Sequence, residues 1–150
     1  MMKHFGLIGY PLGHSFSAKY FTEKFAREGI EADYRLYEIA SAEDKATIDT
    51  VRELEGFNVT APYKEAIIPY LDSLDETAQA VGAVNVVKSE GERWTGYNTD
   101  CTGFMEDLLL FDNLPIGSVR ALVLGTGGAA KAVAYALRQL GVSYTVAGRK

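Results

Sequence analysis

The sequence predicts an α/β fold, with a mixed-sheet N-terminal domain followed by a single βαβ unit. Short apolar segments of strand length alternate along the chain with segments whose apolar residues recur at helical spacing. Two of the strand segments are separated only by Glu90-Gly91-Glu92, which indicates an antiparallel hairpin. Near the end of the sequence, a strand pattern, a glycine-rich turn, an alanine-rich helix and a second strand follow one another, as in a βαβ unit.

Turn and capping signals place the elements of the N-terminal part. Gly9-Tyr10-Pro11 ends the first strand, Ser41 is a favourable N-cap, and Pro62 fits the first turn of a short helix. The elements expected there are a strand at 5–9, a helix at 17–28, a strand at 34–39, a helix at 42–54, a strand at 56–60, a short helix containing Pro62, a helical piece at 72–80, and hairpin arms at 83–89 and 93–97.

The second domain is predicted to begin within a helix at 99–111. The spacing of Phe104, Leu108 and Phe111 predicts this helix, and the polar, proline-containing segment 112–117 ends it. We therefore expect a substrate-binding domain at 1–102 and a second domain at 103–150.

Composition is typical of a soluble globular protein. Hydrophobic residues make up 47% and charged residues 23% of the chain, and no apolar run approaches the roughly 18 residues of a membrane span. The N-terminus lacks the apolar region of a signal peptide, so the cytoplasm is the expected compartment. A net charge of −5 with scattered basic residues argues against nucleic-acid binding. The single Cys101 excludes an intrachain disulfide, and no Cys/His spacing suggests a metal site.

The glycine-rich turn indicates a dinucleotide-binding site. Gly125-Thr126-Gly127-Gly128-Ala129-Ala130 matches G-x-G-x-x-G/A between a strand and a helix, as in the first βαβ unit of a Rossmann domain. Such a turn lets the backbone approach a pyrophosphate, whose charge is held by free N–H groups at the helix N-terminus. A P-loop is excluded because alanines flank Lys131. A turn without a ligand, another nucleotide or S-adenosylmethionine are the alternatives.

Arg149 and Lys150 favour NADP over NAD. They follow the second strand of the unit, where an NAD enzyme would place an acidic residue for the ribose hydroxyls. Two cations suit the 2′-phosphate of NADP instead. The alternative interpretation is a solvated strand end.

Polar residues after the N-terminal strands are the candidates for substrate chemistry. Lys64 and Asp100 offer proton chemistry, although a surface cation and a first-turn helix acid are the simpler interpretations. Ser17 and Thr60 have the alternative role of helix N-caps. Asn85 is a stronger candidate for a polar site, because a side-chain amide within an apolar strand needs buried hydrogen-bond partners or a ligand.

Five motifs in order resemble the shikimate dehydrogenase family, which reduces 3-dehydroshikimate with NADPH. The motifs are GYPLGHSFS, FNVTAPYK, VGAVNVV, GYNTDCTGF and LGTGGAAKAV, and the resemblance extends from Gly6 to Arg149. The family usually has Asn-Arg-Thr at the second strand end, where this chain has Gly148-Arg149-Lys150.

The resemblance implies a role for each matching position. Lys64 and Asp100 would be the catalytic pair, within a substrate site in which two serines bind a carboxylate and the other residues surround hydroxyl groups. The implied substrate-binding residues are Ser15, Ser17, Asn58, Thr60, Lys64, Asn85 and Asp100, and the implied NADP-binding residues are Gly125, Gly127, Gly128, Ala129, Arg149 and Lys150.

The resemblance also implies a longer protein. Lys150 follows the second strand of the βαβ unit, so only half of a Rossmann domain is expected and the chain is interpreted as truncated. The alternatives are a quinate/shikimate dehydrogenase with mixed NAD and NADP use, or a substrate-binding module without hydride transfer. Family members occur as monomers and homodimers, and we expect one of these states.

Overall fold

The computed structural model describes residues 1–41, 45–111 and 115–149. Its strands are β1 (Lys3–Gly9), β2 (Ala32–Glu38), β3 (Gly56–Val59), β4 (Ser73–Leu74), β5 (Val86–Glu90), β6 (Arg93–Tyr97), β7 (Arg120–Leu124) and β8 (Ser143–Ala147). Its helices are α1 (Ser17–Glu28), α2 (Lys45–Thr50), α3 (Glu76–Val81), α4 (Asp100–Leu109) and α5 (Gly128–Gln139), with 3-10 turns at Val51–Glu53, Ile68–Tyr70 and Ile116–Ser118.

The predicted α/β architecture is confirmed. Within the described residues, the N-terminal part forms a six-stranded sheet in the order β2-β1-β3-β5-β6-β4. Its β1 runs parallel to β2 and β3, whereas β5 pairs antiparallel with β3 and β6, so the sheet is mixed. A second sheet pairs β7 and β8 in parallel, with α5 between them in the sequence. These last three elements form the predicted βαβ unit.

The period-2 side-chain pattern of the strands divides the core between the two faces of the large sheet. One face buries Ile8, Phe57, Val59 and Val87 together with Trp94, which is only 1% exposed. The other face carries Leu7 and Tyr34, which pack beneath Phe25 of α1. Alternation along β1 and β3 therefore turns neighbouring residues to opposite sides of the sheet, which decides which polar residues reach the same pocket.

The predicted helix containing Pro62 does not form. Turns occupy 61–67 instead, Ala61-Pro62 is a cis peptide bond, and the next helical residues are the 3-10 turn at Ile68–Tyr70. The predicted helical piece at 72–80 was also partly wrong, since Ser73–Leu74 pairs with β6 and only Glu76–Val81 is helical. The Asp72 carboxylate accepts a hydrogen bond from the Trp94 backbone N–H at 2.7 Å, which holds this segment against the sheet.

The remaining helices agree with the sequence more closely. The predicted helix at 42–54 appears as α2 and the following 3-10 turn, and its start at 42–44 lies outside the described residues. The predicted division at 102/103 falls inside α4 and stays a prediction. Where α5 meets the N-terminal part, Ala132 and Ala136 are fully buried against Val81, Ala83 and Cys101. None of the helices formed by the described residues is both long and apolar enough to cross a membrane.

Candidate active site

The structure brings Lys64 and Asp100 into direct contact. Lys64 lies in the turns after β3, and Asp100 is the first residue of α4. The Lys64 Nζ donates a hydrogen bond to Asp100 Oδ2. The side chains are 16% and 33% exposed, so the pair is largely shielded from solvent. Lys64 is therefore not a free surface cation, while Asp100 is both a first-turn helix acid and a member of this ion pair.

Asn85 and Thr99 fix the orientation of the Asp100 carboxylate. The Asn85 side-chain amide donates to Asp100 Oδ1 at 2.8 Å and to Thr99 Oγ1 at 2.8 Å. In return, the Thr99 backbone N–H donates to Asn85 Oδ1 at 2.8 Å. Both carboxylate oxygens of Asp100 thus have a side-chain donor, one from Asn85 and the other from Lys64. The polar partners that the sequence required for Asn85 are these groups.

Ser15, Ser17 and Thr60 line one small pocket. Its volume is about 270 Å³, and its other lining residues are Leu7, Pro11, Leu12 and His14. The alternative role of Ser17 as a helix N-cap is wrong, because Phe16 occupies that position and the Ser17 backbone N–H itself donates to Ser15 Oγ at 3.3 Å. Thr60 has no helix to cap, since 61–67 form turns. Hydroxyl groups at this pocket are suited to binding an anion through hydrogen bonds.

Asn58 lies on the α1 face of the sheet, in a different pocket from the serines. That pocket has a volume of about 360 Å³ and is lined by aromatic residues of β1, α1 and β2 and by residues of 55–58 and 86–88. The Tyr34 hydroxyl donates to Asn58 Oδ1 at 2.8 Å, and the Asn58 amide donates to the Asn85 carbonyl at 3.4 Å. Burial raises the pKa of Tyr34, and a hydrogen bond with Ser17 opposes that shift. Tyr34 therefore holds Asn58 within this aromatic pocket.

The glycine-rich turn faces Thr60 and Lys64 across a cleft of about 480 Å³. Gly125 has a φ of 118° and donates its N–H to the Ala147 carbonyl at 2.7 Å, which anchors the turn to the end of β8. A Cβ on Gly127 would have no heavy atom within 4 Å, so this residue leaves space for a ligand. A Cβ on Gly128 would instead lie 2.8 Å from the Lys64 Cβ.

The start of α5 has the features of a phosphate-binding helix end. Among the described residues, no side chain caps this helix, and its N-cap is Gly127. The first backbone N–H groups of a helix have no intrahelical acceptor, so those of Gly128 and Ala129 are available to an anion. The residues present therefore fit the pyrophosphate of a dinucleotide. Arg149 is exposed beyond β8, and Lys150 lies outside the described residues. Within the described part of the chain, no cluster of potential metal ligands occurs.

Residues 7–87 match the family model of the shikimate dehydrogenase substrate binding domain, which covers more than half of the chain. The chain belongs to the shikimate dehydrogenase family. Curated relatives named shikimate dehydrogenase (NADP(+)) include those of Shouchella clausii, 43% identical over 99% of this chain and 55% of the relative, and of Bacillus subtilis, 38% identical over 89% of this chain and 48% of the relative.

Solved structures of shikimate dehydrogenases share the fold. The structure from Aquifex aeolicus has a TM-score of 0.90 and 38% identity, over 99% of this chain and 56% of that one. The Thermus thermophilus structure in complex with NADP(H) and shikimate has a TM-score of 0.87 and 35% identity, over 99% of this chain and 57% of that one. The chain thus spans about half the length of the relatives that it matches.

The residues expected from the family resemblance do not all meet at one point. Lys64, Asn85 and Asp100 form one hydrogen-bonded cluster, Ser15 and Ser17 line the small pocket, and Thr60 lines both that pocket and the cleft. The sequence interpretation missed Tyr34, Thr99 and the Glu65–Lys131 ion pair. In the sequence, Tyr34 is indistinguishable from a core aromatic residue in an alternating strand, whereas Thr99 directly precedes Asp100 in GYNTDCTGF, which is a signal for it.

Proposed function

We propose that this chain supplies the substrate site and the first half of the cofactor site of an NADP-dependent shikimate dehydrogenase. The enzyme would interconvert shikimate and 3-dehydroshikimate in aromatic amino acid biosynthesis. The observation that carries this proposal is the Lys64–Asp100 pair, which Asn85 holds in place and whose Lys64 lines one cleft with the glycine turn. The names of the relatives, and the NADP(H) and shikimate bound by the Thermus thermophilus enzyme, support it.

Oxidation of a secondary alcohol requires a hydride acceptor and a group that takes the hydroxyl proton. NADP, when bound, supplies the hydride acceptor. Lys64 is assigned as the acid/base, since it lines the cleft that contains the glycine turn and its Nζ is held by Asp100. Asp100 positions the Lys64 Nζ through Oδ2. Asp100 also hydrogen-bonds the substrate hydroxyl group whose proton Lys64 takes. Asn85 keeps the carboxylate in the required orientation through Oδ1.

The substrate carboxylate is assigned to Ser15 and Ser17. Both hydroxyl groups are partly exposed and line the same pocket, so they can bind a partly solvated anion through hydrogen bonds. Thr60 lines both this pocket and the cleft, which supports its assignment to the middle of the substrate. Asn58 and Asn85 are assigned to substrate hydroxyls on the strength of the family resemblance. Asn58 is connected to that site through the Asn85 carbonyl.

The NADP pyrophosphate is assigned to Gly125, Gly127, Gly128 and Ala129. The open space beside Gly127 and the uncapped start of α5 support this assignment. Arg149 and Lys150 are assigned to the 2′-phosphate, because their sequence positions follow β8 and their charges suit a phosphate. The domain division, the cytoplasmic location and the monomeric or homodimeric state belong to the same proposal and rest on composition and on the family resemblance.

The test is an assay of NADP reduction by shikimate, on this chain and on any longer chain that contains it. Replacing Lys64 by Ala should lower turnover by about 10²–10⁴-fold, which is the usual contribution of an acid/base group, with little change in shikimate affinity. Lys88→Ala is the matched control, because Lys88 pairs with Glu90 in the β5–β6 hairpin. Near-normal turnover of the Lys64 variant would remove Lys64 from the mechanism.

Mixed cofactor use is the second candidate. The Listeria monocytogenes relative, 35% identical with a TM-score of 0.83, was solved in complex with shikimate and NAD. Rates with shikimate and quinate, each measured with NADP and NAD, separate this candidate from the first. A preference for NAD would overturn the assignment of Arg149 and Lys150. Shikimate binding without NADP reduction at every chain length would favour the binding module.

A further inference from the structure

An ion pair links the turn that carries Lys64 to the helix that follows the glycine turn. The Lys131 Nζ donates to Glu65 Oε2 at 2.6 Å. Glu65 is the neighbour of Lys64 in the sequence and lines the same cleft. Lys131 belongs to the beginning of α5, where its backbone N–H donates to the Gly127 carbonyl at 3.0 Å. The pair therefore joins a residue adjacent to the proposed acid/base to a residue one helical turn from the proposed phosphate site.

Other contacts at this junction are apolar and involve short side chains. Ala132 and Ala136 pack against Val81 and Ala83, and Gly128 approaches Lys64 closely. Contacts of this kind favour close approach but have no preferred direction along the interface. Of the salt bridges between described residues, Glu65–Lys131 is the one that joins 1–102 to α5. It adds a directional, charge-assisted contact at the edge of the cleft.

We propose that Glu65 and Lys131 are positioning residues that hold the start of α5 at a fixed distance from Lys64. This inference rests on the proposed function, in which the cofactor bound at α5 must align with the Lys64–Asp100 pair. The two side chains are 42% and 41% exposed, and exposed ion pairs shift equilibria only a few-fold. Their effect is therefore on alignment, because a displacement of about 1 Å at a reacting centre can lower turnover by about 10²-fold.

Hydrogen–deuterium exchange of the chain without ligands tests the inference directly. Glu65→Gln and Lys131→Met should each increase exchange in 60–67 and 127–133 by about 2–5-fold, the range expected for an exposed pair. The charge-swapped variant E65K/K131E should restore protection, because the swapped glutamate also suits a helix N-terminal region. Lys131→Arg should behave like the unsubstituted chain. Lys88→Met, which breaks the pair with Glu90, is the matched control and should leave both segments unchanged.

A second measurement separates alignment from general stabilisation. In the active enzyme, Glu65→Gln and Lys131→Met should lower kcat while the KM for shikimate stays constant, and Lys131→Arg should retain kcat. A purely structural role would reduce the amount of folded enzyme without changing the kcat of the folded fraction. The inference would be overturned if the single variants showed unchanged exchange. It would also be overturned if the charge-swapped variant showed an increase in exchange equal to the sum of the increases in the single variants. Because exchange needs neither cofactor nor substrate, a failure of the proposed function would leave this result interpretable.

Discussion

Replacing Gly128 by Ala tests whether the close approach of α5 to Lys64 is a required feature of the cleft. The added Cβ would lie 2.8 Å from the Lys64 Cβ and 3.1 Å from the Ala83 Cβ. Carbon atoms in contact are about 3.5–4.0 Å apart at their optimum, so the helix must retreat by roughly 0.7 Å or more. Both neighbouring atoms are attached directly to the backbone, and Ala83 is fully buried, so no rotation of a side chain relieves the overlap.

The expected loss of stability combines two opposing terms. Overpacking of this kind costs about 1–3 kcal/mol. The greater helix propensity of alanine returns at most about 1 kcal/mol, and less than that at the first residue of a helix. The free energy of unfolding should therefore fall by about 1–2 kcal/mol. The retreat of α5 also moves the proposed phosphate site away from Lys64, so turnover should fall by about 10²-fold for a shift approaching 1 Å.

Urea unfolding followed by circular dichroism measures the stability, and NADP reduction by shikimate measures the turnover. Gly103→Ala is the matched control, because Gly103 is an exposed residue of α4 with no atom near its absent Cβ. That variant should be unchanged or stabilised by up to about 1 kcal/mol. Equal stability of the Gly128 and Gly103 variants, with turnover unchanged in both, would refute the close-packing argument.

Two further variants examine Asn58 and the serine pocket. Tyr34→Phe should cost about 1 kcal/mol at pH 7 through the lost hydrogen bond to Asn58. Because burial raises the pKa of Tyr34, its stabilising contribution is complete below the unfolded pKa of about 10 and is lost as the pH rises towards the folded value. Above pH 10, the difference in free energy of unfolding between the unsubstituted chain and Tyr34→Phe should then narrow by up to about 1.4 kcal/mol per pH unit. Parallel plots of this free energy against pH for the two proteins would contradict the prediction. Replacing Ser15 and Ser17 together by Ala should raise the KM for shikimate about 100-fold, since two hydrogen bonds to the carboxylate of about 1.5 kcal/mol each contribute about 3 kcal/mol. An unchanged KM would place the carboxylate elsewhere.

The sequence was informative where a residue's role depends on near neighbours. Strand alternation, helical spacing and the glycine turn identified most elements, including the complete βαβ unit, since these signals are local. Pro62 was misread because a proline suits both a first helical turn and a tight turn, and the sequence does not distinguish the two. The Glu65–Lys131 pair was missed for a different reason. Its members are 66 positions apart, so only the packing of α5 against the N-terminal domain makes them neighbours.

The position of Lys64 depends on several elements at once. Its backbone carbonyl accepts a hydrogen bond from Val84 N–H at 2.7 Å, which joins its turn to the segment before β5. Its side chain is held by Asp100 at the start of α4, and Gly128 of α5 approaches its Cβ. A flexible lysine side chain acquires a defined position when its surroundings remove alternative rotamers, and here the proposed substrate and cofactor halves both contribute to that. The proposed acid/base is therefore placed by the junction of the two halves, so that changes in α5 alter its geometry without contacting the substrate.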